Sequence, residues 1–179
     1  SAEGTYTYDI KLNIHSSEGT KIKRDFLLHD DGTKSEHGFV SMTPSKTDFF
    51  VTWLDGRNME EGGHGAEHHS NGNMNLRAAI VLSTGNVIDD AILDVKTCEC
   101  CQTSAAITKN GPIVIYRDRS DDEIRDIAIT RWVDSVWTTP KIIYNDNWSI
   151  KGCPVNGPKA AALNATLAIT WFTAADNIP

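Results

Sequence analysis

Apolar residues in this chain come in short runs, many alternating with polar ones, separated by clusters of Gly, Asp, Asn and Ser. Strongly helical windows are absent. β-Branched and aromatic runs bounded by turn residues read as strands. The pattern predicts strands at 37–44, 49–55, 75–83 and 87–94, with turns at Asp30-Asp-Gly32 and Ser83-Thr-Gly-Asn86. A second set follows at 102–108, 112–117, 125–132 and 137–144, with turns at Asn110-Gly111 and Val133-Asp-Ser135. Asn-Gly between two apolar runs is a strong hairpin signal. A third set begins at Val155 and reaches its second strand at 167–173, and two strands near 6–14 and 21–28 precede the first set.

The sets share landmarks. Trp53-Leu-Asp-Gly-Arg57, Tyr116-Arg-Asp-Arg-Ser120 and Trp171-Phe-Thr-Ala-Ala175 occupy one slot, and Glu36-His-Gly-Phe-Val40 falls in the slot of Gln102-Thr-Ser-Ala-Ala106. Four antiparallel strands repeating every ~45–65 residues is the pattern of β-propeller blades. The alternative is an irregular β-sandwich. The expected fold is therefore all-β: a single propeller domain over 1–179, with two whole blades and a half blade at each end. Such a segment calls for further chain, or a second copy, to complete a six-bladed ring.

Blade topology sorts the loops. Connections 29–37, 95–101 and 145–154 join a fourth strand to the next first strand, and 55–75 and 117–125 join second to third strands. All five are expected on one face, with plain short turns opposite. That face collects Glu36, His37, Asp55, Arg57, His64, His68, His69, Arg117, Asp118, Arg119, Arg125, Cys98, Cys100, Cys101 and Cys153. Function concentrates in loops positioned by a rigid scaffold.

Composition narrows the classes. A net charge of −7 argues against a nucleic-acid partner, which needs clustered Lys and Arg. No apolar run reaches the ~20 residues that span a bilayer. The chain starts at Ser1 without Met, as after removal of a leader or within a longer protein. Four cysteines, three within four residues, suit an oxidising compartment or a metal site. Asn147-Trp-Ser149 and Asn164-Ala-Thr166 match the glycosylation triplet, which matters only in a eukaryotic secreted protein.

Ser16-Ser-Glu-Gly-Thr-Lys-Ile-Lys23 looks like a decayed Asp-box hairpin. With Glu36-His-Gly-Phe39, Leu54-Asp-Gly-Arg57, Cys98-Glu-Cys-Cys-Gln-Thr103, Tyr116-Arg-Asp-Arg119, Arg125-Asp-Ile127 and Cys153-Pro-Val-Asn-Gly-Pro158, the chain resembles a bacterial family of exported, sialidase-like BNR-repeat propellers. The resemblance covers nearly the whole chain. It implies a six-bladed fold, export to the periplasm, outer surface or medium, and an exo-sialidase-like hydrolase as the activity to test.

Sialidases hold a substrate carboxylate with three arginines, because a guanidinium fork donates two parallel hydrogen bonds. Arg57, Arg117, Arg119 and Arg125 are the candidates, with His37 beside them, Asp55, Asp118 and Asp126 to orient them, and Glu36 or Asp118 as general acid or base. The Arg-Ile-Pro signature is absent, and no nucleophilic Tyr–Glu pair can be assigned. The competing reading makes the arginines salt-bridge ladders between blades. The leading function is binding or hydrolysis of an acidic glycan or related anion at the channel mouth. The rival is a non-enzymatic binding or metal-handling propeller that docks a protein partner.

Cys153 is expected to reach the Cys98, Cys100 and Cys101 cluster, as an inter-blade disulfide or through a shared Cu(I) or Zn(II) ion; free thiols are the third option. Read as Cys-x-Cys-Cys, the cluster lacks the usual Cys-x-x-Cys spacing of thiolate metal sites. The His64, His68 and His69 loop reads as solvated, with a metal site as its alternative. Trp53, Trp132 and Trp171 read as core, and Trp148 as either a sugar platform or packing between blades.

Overall fold

In a computed structural model, residues 7–59 and 72–175 are described, and they form an all-β protein of small antiparallel sheets. The predicted histidine loop lies outside them. Strands β1 (Lys11–His15) and β2 (Lys21–Leu27) pair as a hairpin. Strands β3 (His37–Ser45), β4 (Asp48–Asp55), β5 (Asn75–Val81) and β6 (Val87–Asp94) form a four-stranded meander. Strands β7 (Ser104–Thr108), β8 (Gly111–Arg117) and β9 (Ile127–Val133) form the next sheet, completed by β10 (Val136–Trp137) and β11 (Lys141–Tyr144), both on β9. Strands β12 (Lys159–Leu163) and β13 (Thr166–Thr170) make a last hairpin.

The strand expected at 137–144 is split. Trp137 faces Trp132 and Lys141 faces Ile129, so four steps on one strand oppose three on the other. Pro140, which has no amide hydrogen to donate, sits in the gap, as prolines in sheets do at irregularities. The strand expected from Val155 starts only at Lys159.

The period-two alternation explains the layering. In β4, Phe50 and Leu54 face one way and join Val114 and Tyr116 of β8 in one core. Val51 and Trp53 face the other way and join Ile10, Ile14 and Leu28 in a second core. Ile113 and Ile115 of β8 form a third core that takes Ala160, Leu167 and Ile169 of the last hairpin. Both middle sheets are thus covered on both faces, which is why their strands read as nearly continuous apolar runs.

The first strands of three successive sheets lie side by side, with β7 between β3 and β12. A repeated hydroxyl latch joins them. Ser41 Oγ accepts the Ala105 amide at 2.9 Å, and Ser104 Oγ accepts the Ala160 amide at 2.9 Å. Ser41 pairs with Thr52, the residue before Trp53, and Ser104 with Ile115, the residue before Tyr116. Ser41 and Ser104 are therefore equivalent, and the Trp53–Tyr116 correspondence holds. The correspondence drawn between Glu36–Val40 and Gln102–Ala106 is three residues out of step. Phe39, at φ 53°, belongs to a β-bulge between Gly38 and Ser41 that the second sheet lacks.

The Asn-Gly-Pro motif also has a packing cause. A Cβ on Gly157 would stand 1.8 Å from the carbonyl oxygen of Gln102, so two backbones touch where a side chain cannot fit. Gly157→Ala is expected to cost about 2–3 kcal/mol, the upper range of overpacking. Gly38→Ala, with open space around its Cβ, should stay within ~0.5 kcal/mol. Urea denaturation of both variants checks this.

Candidate functional site

Hydrogen bonds place the polar ends of the two middle sheets together. The Thr97 amide donates to Met74 O at 3.0 Å and the Cys98 amide to Arg117 O at 3.1 Å. One loop thus ties the start of β5 to the end of β8.

At the end of the first meander, His37 opposes Asp55 across β3 and β4. Asp55, fully buried, accepts Arg57 Nε and Nη2 at 2.7 Å each and Trp53 Nε1 at 2.9 Å. Arg57 Nη2 also lies 3.2 Å from Asp31. His37 Nδ1 faces the carbonyls of Tyr8 and Ser35, and Nε2 faces Asp31 at 3.0 Å and Asp55 at 3.6 Å. Each ring nitrogen thus faces backbone carbonyl or carboxylate oxygens. His29 stacks on His37, ring centres 3.6 Å apart, accepts the Ile10 amide through Nε2 and faces Asp31 through Nδ1 at 3.2 Å. Burial, then His37, holds the His29 pKa below its ordinary value against the pull of Asp31. Burial pushes Asp31 up, but hydrogen bonds from Thr33, with His37 and Arg57, bring it down to about 2. Asp55 is likewise lowered; burial is opposed by the bonds from Arg57 and Trp53. Glu36 adjoins this cluster, its carbonyl accepting the Gly56 amide at 2.8 Å.

At the end of the second sheet, Arg117 is buried and donates to three carbonyls. They are Asn156 at 2.9 Å, Arg125 at 2.5 Å and Phe172 at 2.7 Å. Its guanidinium lies 4.8 Å from the centre of the Trp148 ring. Trp148 meets Phe172 edge-on and is buried, so it packs between sheets. Burial lowers the Arg117 pKa to about 10 despite Asp126 and Asp146. Arg119 and Arg125 alternate with Glu99 and Glu123. Arg119 pairs with both glutamates, and Arg125 donates to Glu99 and to Glu123 at 2.9 Å each. Arg119 is partly exposed, with a side chain 22% accessible, whereas Arg125 is buried. Asp126 caps the amides of Asn147 and Trp148 at 3.0 Å instead of orienting an arginine side chain.

Asp118 is half-buried, and burial, with Asp94 and Asp126, pushes its pKa up to about 6 against the Arg119 amide and Lys96. That value suits a general acid. Tyr116 donates to Asp94, and burial moves its pKa upward, the reverse of an activated nucleophile.

Cys98 pairs with Cys101 and Cys100 with Cys153 at disulfide distance, with Cα separations of 5.7 and 6.1 Å. The second pair is the expected inter-sheet link. The first corrects the spacing argument: Cys98 and Cys101 are themselves a Cys-x-x-Cys, concealed by Cys100 inside it. Beyond the cysteines, a shallow open groove of about 470 Å³ is lined by Tyr144, Asp146, Trp171 and Thr173 among others, with Trp171 Nε1 donating to Asp146 at 2.8 Å.

All of these groups sit at strand ends or in loops that the repeat assigned to one face. The residues missed were the carboxylates and imidazole that complete the clusters: His29, Asp31, Glu99 and Glu123. Each lies inside a loop or motif already singled out; Asp31 and Glu99 meet arginines 26 residues away, whereas Glu123 bonds arginines of its own loop. Comparison of the chain with protein-family models, curated proteins and solved structures finds no match. Among the described residues no helix is long and apolar enough to cross a membrane.

Two outcomes follow. Arg117→Ala is expected to lower stability by about 3 kcal/mol or more, since it strands buried carbonyls that accept from a charged donor. Arg117→Lys should not restore it, because an ammonium cannot reach all three. For Asp118, the folded pKa lies above the unfolded one, so protonation stabilises the fold. That contribution is present below about pH 4 and is lost as pH rises through about 6. Asp118→Asn should therefore be more stable than the parent at pH 7–8, by about 1–2 kcal/mol after solvent screening, and equal to it near pH 4. Thermal unfolding across pH 4–8 reads both.

Proposed function

We propose that the chain is part of an exported, sialidase-like β-propeller that binds an acidic glycan or a related anion on the loop-bearing end of its sheets. The propeller reading is supported by three first strands side by side, by the repeated serine latch and by the equivalence of Trp53 and Tyr116. Export is supported by the paired cysteines, since such bonds persist where conditions are oxidising.

The observation that carries the ligand reading is the pre-orientation of two partly exposed guanidinium groups. Arg57 is held by Asp31 and Asp55, and Arg119 by Glu99 and Glu123. Arg117 and Arg125 serve as buried support. Each arginine already faces carboxylates or carbonyls, so a sialidase clamp of three open guanidiniums is not the reading favoured; binding is. The groove beside Tyr144 and Trp171 adds aromatic surface of the kind that receives sugar rings. Hydrolysis is the second reading, favoured by the raised pKa of Asp118.

The full chain is tested against sialylated and uronic-acid oligosaccharides by calorimetry, with product analysis for hydrolysis. Arg119→Ala is expected to weaken binding by about ten- to a hundredfold, the scale of a charge-assisted bond. Product that disappears in Asp118→Asn would support hydrolysis. Absence of binding to every acidic glycan, or equal binding of neutral glycans, rules the reading out.

A further inference from the structure

We propose that, once reduced, Cys98, Cys100, Cys101 and Cys153 form a tetrahedral four-thiolate site for a single zinc-class dication. The Sγ atoms of Cys98, Cys100 and Cys101 all lie within 4.8 Å of one another, and Cys153 Sγ is in bonding reach of Cys100. Zinc–sulfur bonds of 2.3 Å place tetrahedral ligands about 3.8 Å apart, so small sulfur movements convert this cluster into a coordination shell.

The convergence does not depend on the sulfur–sulfur bonds. The first three cysteines are held by the Thr97 and Cys98 amides on Met74 and Arg117, and by Gln102 and Thr103, which donate to the carbonyls of Val40 and Phe39. The Cys153 segment is held by Arg117 on Asn156 O and by the contact of Gly157 with Gln102. A site whose ligands are placed by the backbone is pre-organised for an ion.

The surroundings match thiolate chemistry. Cys98 and Cys101 are buried, and Arg125 Nη1 lies 3.4 Å from Cys98 Sγ. Four thiolates and one dication leave a charge of −2, and the Arg125 guanidinium supplies an N–H donor directly beside one ligand sulfur. Its bonds to Glu99 and Glu123 fix its orientation. Outer-sphere donors of this kind tune ligand sulfurs. The chemistry balances: two disulfides take four electrons from two equivalents of a phosphine, two waters supply the four protons and give their oxygen to the phosphine oxide, and four thiols result. Zinc then displaces four protons to solvent as four Zn–S bonds form, with no change in its oxidation state.

The full chain is reduced with a phosphine under anaerobic conditions and titrated with Co²⁺, followed by Zn²⁺. One equivalent of cobalt should give thiolate charge-transfer and tetrahedral ligand-field bands, abolished by one equivalent of zinc. Cys153→Ser and Cys98→Ser should each weaken uptake at least tenfold and alter the bands. Circular dichroism follows the fold: if the reduced, metal-free chain loses its sheet signal, zinc should restore it. Overturning results are no saturable one-to-one uptake, failure of zinc to restore a lost fold, or uptake unchanged by Cys153→Ser, which would assign the ion to ligands elsewhere.

Discussion

The buried guanidinium of Arg117 is the constraint on which the second half of this structure depends. It leaves β8 at the strand's last residue and reaches carbonyls of its own following connection, of the Cys-Pro-Val-Asn-Gly-Pro loop and of the segment just after β13. A charge so deeply enclosed is tolerable only if its donors are met, and here the polar backbone of irregular loops meets them. The exchange is mutual. Loop carbonyls without strand partners obtain a charged donor, and the guanidinium obtains a solvation shell made of protein.

The same logic governs the other polar clusters. His37, Asp31, Asp55 and Arg57 are enclosed together, and Arg119, Glu99, Arg125 and Glu123 alternate in sign. In the second group opposite charges are equal in number, which limits the cost of removing them from water. Arg57 and Arg119 keep a partly exposed side. Their carboxylate partners therefore set the direction of each guanidinium. Asp118 stands apart, because two further aspartates and burial raise its proton affinity while only Lys96 and one amide oppose them.

The cysteine cluster sits where the second sheet and the Cys-Pro-Val-Asn-Gly-Pro loop meet. Two mechanisms hold this junction in addition to Arg117: the Cys100–Cys153 link and the close approach of Gly157 to Gln102. The latches from Ser41 and Ser104 continue the attachment along the first strands. The junction is thus fastened by hydrogen bonds, by sulfur and by backbone contact, so a chemical change at sulfur can occur within a frame that the other two maintain.

Much of the fold was legible in the residues alone. Alternation and turn chemistry located nearly every strand within a few residues, and the recurring Trp53, Tyr116 and Trp171 slot identified the repeat, because these signals are local and a sheet imposes a period of two on whatever it buries. Several features required tertiary structure. The β-bulge at Phe39 adds one residue to β3 that the repeat does not share, and Pro140 divided an expected strand. Whether Arg117 and Arg119 are open or enclosed could not be read from Tyr116-Arg-Asp-Arg119, where the two arginines are chemically alike and two positions apart. Their different fates are decided by what other sheets bring to them: Asn156 and Phe172 carbonyls to one, Glu99 and a partly open edge to the other. Residue type and spacing determine which groups are available at a strand's end, whereas the packing of neighbouring segments determines which of those groups remain to meet a ligand.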